Sequence, residues 1–257
     1  MSRALAPALA LGLALGLSGC AGLTASWPPW AESAARPAKL TGYLAANPID
    51  GVALLGPPPA VDSPRGLADR ASYLETRKLE GSPRWAQAIS DNDLWSGGVL
   101  KSYGCAAGMT ISPAATPALY RLMQRVELDG RTVSNPPKVF YNRTRPVIGS
   151  DLAVCLPRES WMQTNASYPS GHSLVGWAWA LVLAELVPGR TDPVLATGRR
   201  IGDSRVVCGV HYQSDIEAGR TLASALVARL HSDAVFQADL AKARKEITKA
   251  PALRCAA

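Results

Sequence analysis

Between His172 and Val187 the chain carries one charged side chain, Glu185, and is apolar on nearly every side of a helical projection. A helix without a polar face must be surrounded by protein or by lipid. No stretch of 18 consecutive apolar residues occurs in the body of the chain, so a membrane span is not expected there. The run is read as a central buried helix, and its neighbours read as helices too. Ser112-Pro113 looks like a cap followed by a first-position proline, opening a helix to about Leu128. Asp192-Pro193 repeats that pattern ahead of Val194 to Val207. Ser214 to Leu230 and Ala234 to Ile247 have 3.6-residue periodicity, the last with many charges on one face. Alternating strand patterns are scarce, and Val139-Phe140-Tyr141 is too short to establish one. The expected fold class is all-α: a single helical-bundle domain packed around the His172–Val187 helix.

The domain is expected to span residues 66–250, followed by a short tail at 251–257. Residues 20–65 are rich in Pro and Ala, with Trp27-Pro28-Pro29-Trp30 and Pro57-Pro58-Pro59, and read as a tether partly lying on the domain surface. Residues 1–19 read as a signal peptide. Arg3 supplies a positive start, and Ala4 to Leu17 is almost wholly apolar but too short to span a bilayer. Leu17-Ser18-Gly19-Cys20 resembles a bacterial lipoprotein box, in which the chain is cut before the Cys and the Cys is acylated. An ordinary secretory signal cut near Ala25 is the alternative. Ala21 after the Cys suits sorting to an outer membrane, which makes the protein periplasmic and lipid-anchored through Cys20. Without Cys20, four cysteines remain. Their even number in an exported chain implies two disulfides, and of three possible connectivities Cys155–Cys208 with Cys105–Cys255 is favoured. No CxxC pair suggests zinc.

The formal charge is +7, and loss of the leader with Arg3 lowers it by one. Lys and Arg are scattered and not interleaved with aromatics, so charge alone does not choose among nucleic acid, anionic lipid and a small anionic substrate; with the motifs that follow, a small anion and no nucleic acid partner is the expectation. Three clusters give that anion a place. Pro169-Ser170-Gly171-His172 precedes the buried helix, where unpaired N–H groups and the helix dipole favour negative charge. Gly171 allows close approach and Ser170 adds a hydroxyl; a simple cap explains Ser170 but not His172. In Ser204-Arg205, five residues, His211, three residues, Asp215, the spacing lets the carboxylate meet the imidazole across one helical turn. Arg205 offers a planar fork for phosphate oxygens. Lys138, six residues, Arg145-Pro146 adds two more cations. Each cluster alone has an ordinary explanation as a cap, a chance His/Asp pair or a solvated face.

Together they match the three-part signature of the PAP2 phosphatase superfamily, with all 11 fixed identities in order and gaps of 22 and 31 residues between the parts. The chain more closely resembles the bacterial class A non-specific acid phosphatases, from about Leu67 to Ile247. Ala166 to Ser173 and Ser204 to Asp215 look like theirs nearly throughout. The departures are Ala166 where the family usually has Gly, Ser173 for Thr and Tyr212 for Trp. The resemblance implies hydrolysis of small phosphomonoesters of broad range, without metal or cofactor, through a phosphohistidine. It assigns His211 as nucleophile, Asp215 as its orienting partner and His172 as general acid and base. Lys138, Arg145, Arg205, Ser170 and Gly171 would bind the phosphoryl oxygens, and Ser96, Gly97 and Gly98 would lie beside them. It also implies a homodimer. His231 belongs to no motif. Lipid phosphatases of the superfamily are expected to have several spanning helices, and its haloperoxidases to be longer. An inactive anion-binding lipoprotein would need the cations but not His172, His211 and Asp215.

Overall fold

The computed structural model describes residues 40–44 and 49–255; the leader, Cys20 and the Trp27–Trp30 cluster lie outside them. Among the described residues ten α-helices follow one another: α1 (Gly51–Leu55), α2 (Pro64–Arg77), α3 (Pro83–Ser90), α4 (Val99–Ala107), α5 (Pro117–Tyr141), α6 (Trp161–Thr164), α7 (Gly171–Leu186), α8 (Thr191–Val207), α9 (Gln213–Leu230) and α10 (Ala234–Ile247). Among the described residues there is no strand, only an isolated bridge between Met109 and Ala252. None of these helices is long and apolar enough to cross a membrane.

Helix α7 is the apolar run, and it is the axis of the bundle. Leu174, Ala178, Trp179, Ala180 and Leu183 have no exposed surface, and α5, α8 and α9 pack around it. Burial of a leucine such as Leu174 or Leu183 contributes roughly 1.5–3 kcal/mol relative to exposure, and that of an alanine less. Small residues set the spacing. A Cβ on Gly198 of α8 would stand 2.5 Å from the Ala180 Cβ, and one on Gly219 of α9 would stand 2.6 Å from the Ser170 carbonyl oxygen. Trp179 donates its indole N–H to the Met123 carbonyl at 2.9 Å, and its ring meets Trp95 edge-on at 4.8 Å. The buried indole N–H is therefore satisfied.

Helix α5 departs from expectation at both ends. It begins at Pro117, not Pro113, because Ser112 closes a turn in which its Oγ accepts the Ala115 N–H at 3.0 Å. The true first turn is capped from outside: the Glu246 carboxylate of α10 accepts the N–H groups of Ala118 and Leu119, each at 2.9 Å. At the other end α5 runs past Leu128 and through Pro136 and Pro137 to Tyr141. Its buried stripe continues over Gly130, Val133, Ser134 and Pro137, so packing overrides two prolines that interrupt the hydrogen-bond ladder. This carries Lys138 onto the last helical turn, and Val139-Phe140-Tyr141 is helix end, not strand. Helix α8 starts at Thr191, so Asp192 and Pro193 sit inside its first turn instead of before it.

Helix α1 lies within the stretch expected to be a tether, with the Asp50 carboxylate accepting the N–H groups of Val52 and Ala53. Upstream, Asp129 takes the N–H groups of Tyr43 and Leu44 at 2.8 and 2.9 Å, which fastens that segment to α5. The structure pairs Cys105 with Cys255 and Cys155 with Cys208. A second apolar cluster, with Trp85, Val147, Trp161, Met162, Val207 and Val210, packs around Cys208 and underlies the loop that carries His211.

Candidate active site

Three features of the chain trace bring the sequence clusters together at the N-terminal end of α7. After α5, Asn142 adopts a left-handed conformation (φ 41°), which Asn tolerates better than most residues, and turns the chain toward Arg143 and Arg145. Helix α8 ends at Val207, and Gly209, also left-handed (φ 77°), reverses the chain so that His211 follows within a few residues of Arg205. Ser170 caps α7, with its Oγ accepting the Ser173 N–H at 3.4 Å, and its own N–H is held by the Asp215 carbonyl at 2.9 Å. Gly171 is the first, buried residue of α7.

The cations converge. Arg145 donates to the Val210 carbonyl at 2.9 Å, to the Asn165 carbonyl at 2.7 Å and to His211 Nε2 at 3.0 Å. Lys138 Nζ donates to the Ala166 carbonyl at 2.7 Å. Arg205 donates one guanidinium nitrogen to the Asn92 side-chain oxygen at 2.7 Å. Its Nε is buried and has no hydrogen-bond partner among the described residues. An orphaned donor on a side chain that is always charged is costly unless an anion completes it. Burial disfavours the charged form of all three: the Arg145 guanidinium is lowered to about 10 against the pull of Asp215, that of Arg205 to about 9 with repulsion from Arg145 added, and Lys138 falls well below its ordinary value with Arg145 and Arg205 adding to burial. Among the described residues no His, Cys, Asp or Glu side chains converge as a metal-ligand set.

The two imidazoles are both almost fully enclosed, at 3% and 4% exposure. Burial is the largest reason that both titrate well below 6.5; Arg145, Lys138 and Arg205 add to it at His211, and Arg205, His211 and Arg145 at His172. Hydrogen-bond chemistry fixes the His211 tautomer. A guanidinium only donates, so the Nε2 that faces Arg145 presents a lone pair, and the hydrogen sits on Nδ1. That Nδ1 faces Ser167 Oγ at 3.3 Å and Asp215 Oδ2 at 3.4 Å. Ser167 in turn donates to the same carboxylate oxygen at 2.5 Å. His172 Nε2 carries hydrogen as well, because it faces the Asn92 carbonyl at 3.0 Å.

Of the residues singled out in the sequence, Lys138, Arg145, Ser170, Gly171, His172, Arg205, His211 and Asp215 share this one region. Ser96 and Gly97 line a different cavity, of about 310 Å³, with Leu100, Tyr120 and Leu253. Ser96 there donates to Asp93 at 2.5 Å, and Gly98 is packed against the Ser90 carbonyl. Their loop reaches the cations through Asn92 instead. His231 is half exposed and pairs with Glu185 at 3.2 Å. Sequence reasoning missed Asn92, Ser167, Asp69 and Arg143. Arg143 donates to Asp215 Oδ1 at 2.6 Å and to Asp69 Oδ2 at 2.8 Å. A third cation inside the Lys138–Arg145 spacer was its signal, and Ser167 lay in the string before Pro169; Asp69 and Asn92 carried none.

Fold and charge define a class: an all-α bundle whose buried guanidinium and ammonium groups gather beside two imidazoles to receive a small oxyanion. The PAP2 superfamily profile matches residues 128–237, which hold all eight of the gathered residues. An acid phosphatase of Zymomonas mobilis is 42% identical over 207 residues, covering 78% of this chain and 76% of that one. Non-specific acid phosphatases of Providencia stuartii and Salmonella typhimurium are 41% and 36% identical, covering 78% and 75% of this chain and 82% and 78% of theirs. The chain belongs to the PAP2 superfamily and, within it, to the non-specific acid phosphatases. It is an enzyme, a phosphoric monoester hydrolase.

Proposed function

We propose that this phosphatase hydrolyses small phosphomonoesters of broad range in two steps through a phosphohistidine on His211, with no metal ion. The observation that carries the reading is the Arg145–His211 contact, which leaves Nε2 with its lone pair and places a cation beside the atom that would meet phosphorus. In the first step Nε2 attacks, the P–N bond forms and the P–O bond to the leaving group breaks. His172, protonated in the complex, gives that alkoxide its proton. In the second step His172 takes a proton from water, whose oxygen attacks phosphorus; the P–N bond breaks and phosphate leaves. The dianionic ester counters the field of Lys138, Arg145 and Arg205, so its binding raises the pKa of His172 toward the range a general acid needs. The same three cations, with Ser170 and the Gly171 N–H, would bind the equatorial oxygens and supply the charge that magnesium supplies elsewhere. Ser96, Gly97 and Gly98 are proposed to line the substrate's approach and not the phosphate itself.

The test is turnover of p-nitrophenyl phosphate with exhaustive chelation. Rates should stay unchanged, and vanadate should inhibit by adopting five-coordinate geometry. Loss of activity that a divalent ion restores would overturn the metal-free reading.

We further propose export to the periplasm, with attachment to the outer membrane through acylated Cys20, and a homodimeric state. The supporting feature is the Leu17-Ser18-Gly19-Cys20 string after an apolar run. Acyl burial contributes about 0.8 kcal/mol per methylene, so several chains hold firmly. Cys20→Ser in a Gram-negative host should shift the enzyme from the membrane fraction to soluble periplasm; a wild type already soluble, beginning beyond Cys20, contradicts the anchor. Sedimentation of the soluble form reads the dimer, and a monomer at micromolar concentration removes it.

A further inference from the structure

Arg143 belongs to none of the roles assigned above, yet its guanidinium is built into the back of the site. One nitrogen donates to Asp215 Oδ1 at 2.6 Å and to Ser214 Oγ at 2.7 Å, and the other to Asp69 Oδ2 at 2.8 Å. The plane lies over the Tyr212 ring at 4.3 Å. Asp69 is itself fixed by the Ser214 N–H at 2.8 Å and by the Ser214 hydroxyl. All three charged groups are removed from water: the Asp215, Asp69 and Arg143 side chains are 0%, 4% and 12% exposed. Three elements are joined this way, with Asp69 on α2, Arg143 after α5 and Asp215 on α9.

The chemistry of the site gives this bracing a purpose. A bare buried carboxylate 3.4 Å from His211 Nδ1 would favour the imidazolium, the form that cannot attack phosphorus. An enzyme working at acid pH has to resist that protonation. We propose that Arg143, steered by Asp69, is a positioning residue that controls the protonation of His211, holding the Asp215 carboxylate in place while neutralising part of its charge. Its link to rate rests on the reading of His211 as nucleophile. The other charged groups facing His211 are Arg145 from the loop after α5, Lys138 of α5, Arg205 of α8 and His172 of α7; Lys138 and Arg145 also face Asp215. All four are cations or become so on protonation; a hydrogen bond with Ser167 favours the charged form of His211, and the Asp215 carboxylate 3.4 Å from Nδ1 is the anion placed to do the same. Arg143 is the cation in direct contact with it.

The chain has three histidines, so their imidazole signals are separable by NMR in the whole protein. The experiment follows His211 protonation against pH in wild type and three variants, beside the acid limb of kcat/KM for p-nitrophenyl phosphate. In Arg143→Gln, Asp215 regains its full charge, and the His211 midpoint and the acid limb should both rise by about one pH unit or more. In Asp69→Asn, Arg143 serves Asp215 alone, and both should stay or move down. Arg143→Lys keeps the charge without the fork, so the midpoint should remain near wild type while kcat falls. The opposite signs guard against a folding defect, which lowers activity in every variant without moving the midpoint. A His211 midpoint unchanged in Arg143→Gln, or raised in Asp69→Asn, overturns the inference. If Arg143→Gln does not fold, Asp69→Asn and Arg143→Lys decide it on the same readouts. A midpoint that moves as expected while the acid limb stays fixed leaves Arg143's control of His211 standing and overturns the assignment of His211 as nucleophile.

Discussion

Histidines and cations here are enclosed together, and both burial and the neighbouring cations disfavour the charged imidazoles. His172 and His211 both titrate well below 6.5 in the folded protein, first because of burial and then because of neighbouring cations. In the unfolded chain they titrate near 6.5. Above that value both states hold them neutral, and they contribute no pH dependence. As pH falls below 6.5 the unfolded chain takes up protons that the folded chain refuses, so stability falls until the folded values are reached. Each group contributes a slope of about 1.4 kcal/mol per pH unit within that window. Thermal melts without phosphate should therefore drop between about pH 6.5 and 5, and His211→Gln should flatten the drop. Inorganic phosphate should raise the melting temperature most at the acid end. A melting temperature that rises on acidification through this window contradicts the assigned direction.

Helices show where sequence reasoning succeeds and where it stops. The axis α7, the amphipathic α10 and most of α9 were legible, because burial writes itself directly into apolar periodicity: Phe236, Leu240 and Ala243 of α10 are buried at helical spacing. The start of α5 was not legible. Ser112-Pro113 has the local chemistry of a cap, but Thr116-Pro117 opens the helix, and the side chain that caps it comes from Glu246 in another helix. Its continuation through Pro136 and Pro137 depends on packing that no local window contains. The gathering of cations and imidazoles was legible from residue types at fixed spacing, whereas Asp69 and Asn92 join it only through the fold. Glu246→Ala should cost about 1 kcal/mol, lowering the melting temperature by about 2–4 °C. Its cap lies at the opposite end of α5 from Lys138, roughly 30 Å away at helical rise, so kcat and KM should not change. A change in kcat at full folding would mean that the two ends of α5 are coupled.

Taken whole, the molecule is a frame that holds three cations and two imidazoles in a small buried space, each from a different turn of the chain. The bundle around α7 supplies the rigidity: close helix contacts at Gly198 and Gly219 fix α8 and α9 against the axis, and with them Arg205 and Asp215. The central claim is that phosphorus passes through His211 Nε2, with His172 as the proton donor and then the base. Rapid-quench trapping of labelled phosphoenzyme under chelation tests it most directly. Wild type should give a base-stable, acid-labile phosphohistidine, and His211→Ala should give none from any substrate. His172→Ala should still form it in a burst from dinitrophenyl phosphate, whose leaving group needs no proton, and then stall for want of a base. From an alkyl phosphate the same variant should be slowed by about 10²–10⁴-fold at the first step. Labelled enzyme in His211→Ala, or equal loss of aryl and alkyl substrates at the phosphorylation step of His172→Ala, would contradict the assignment of nucleophile and acid.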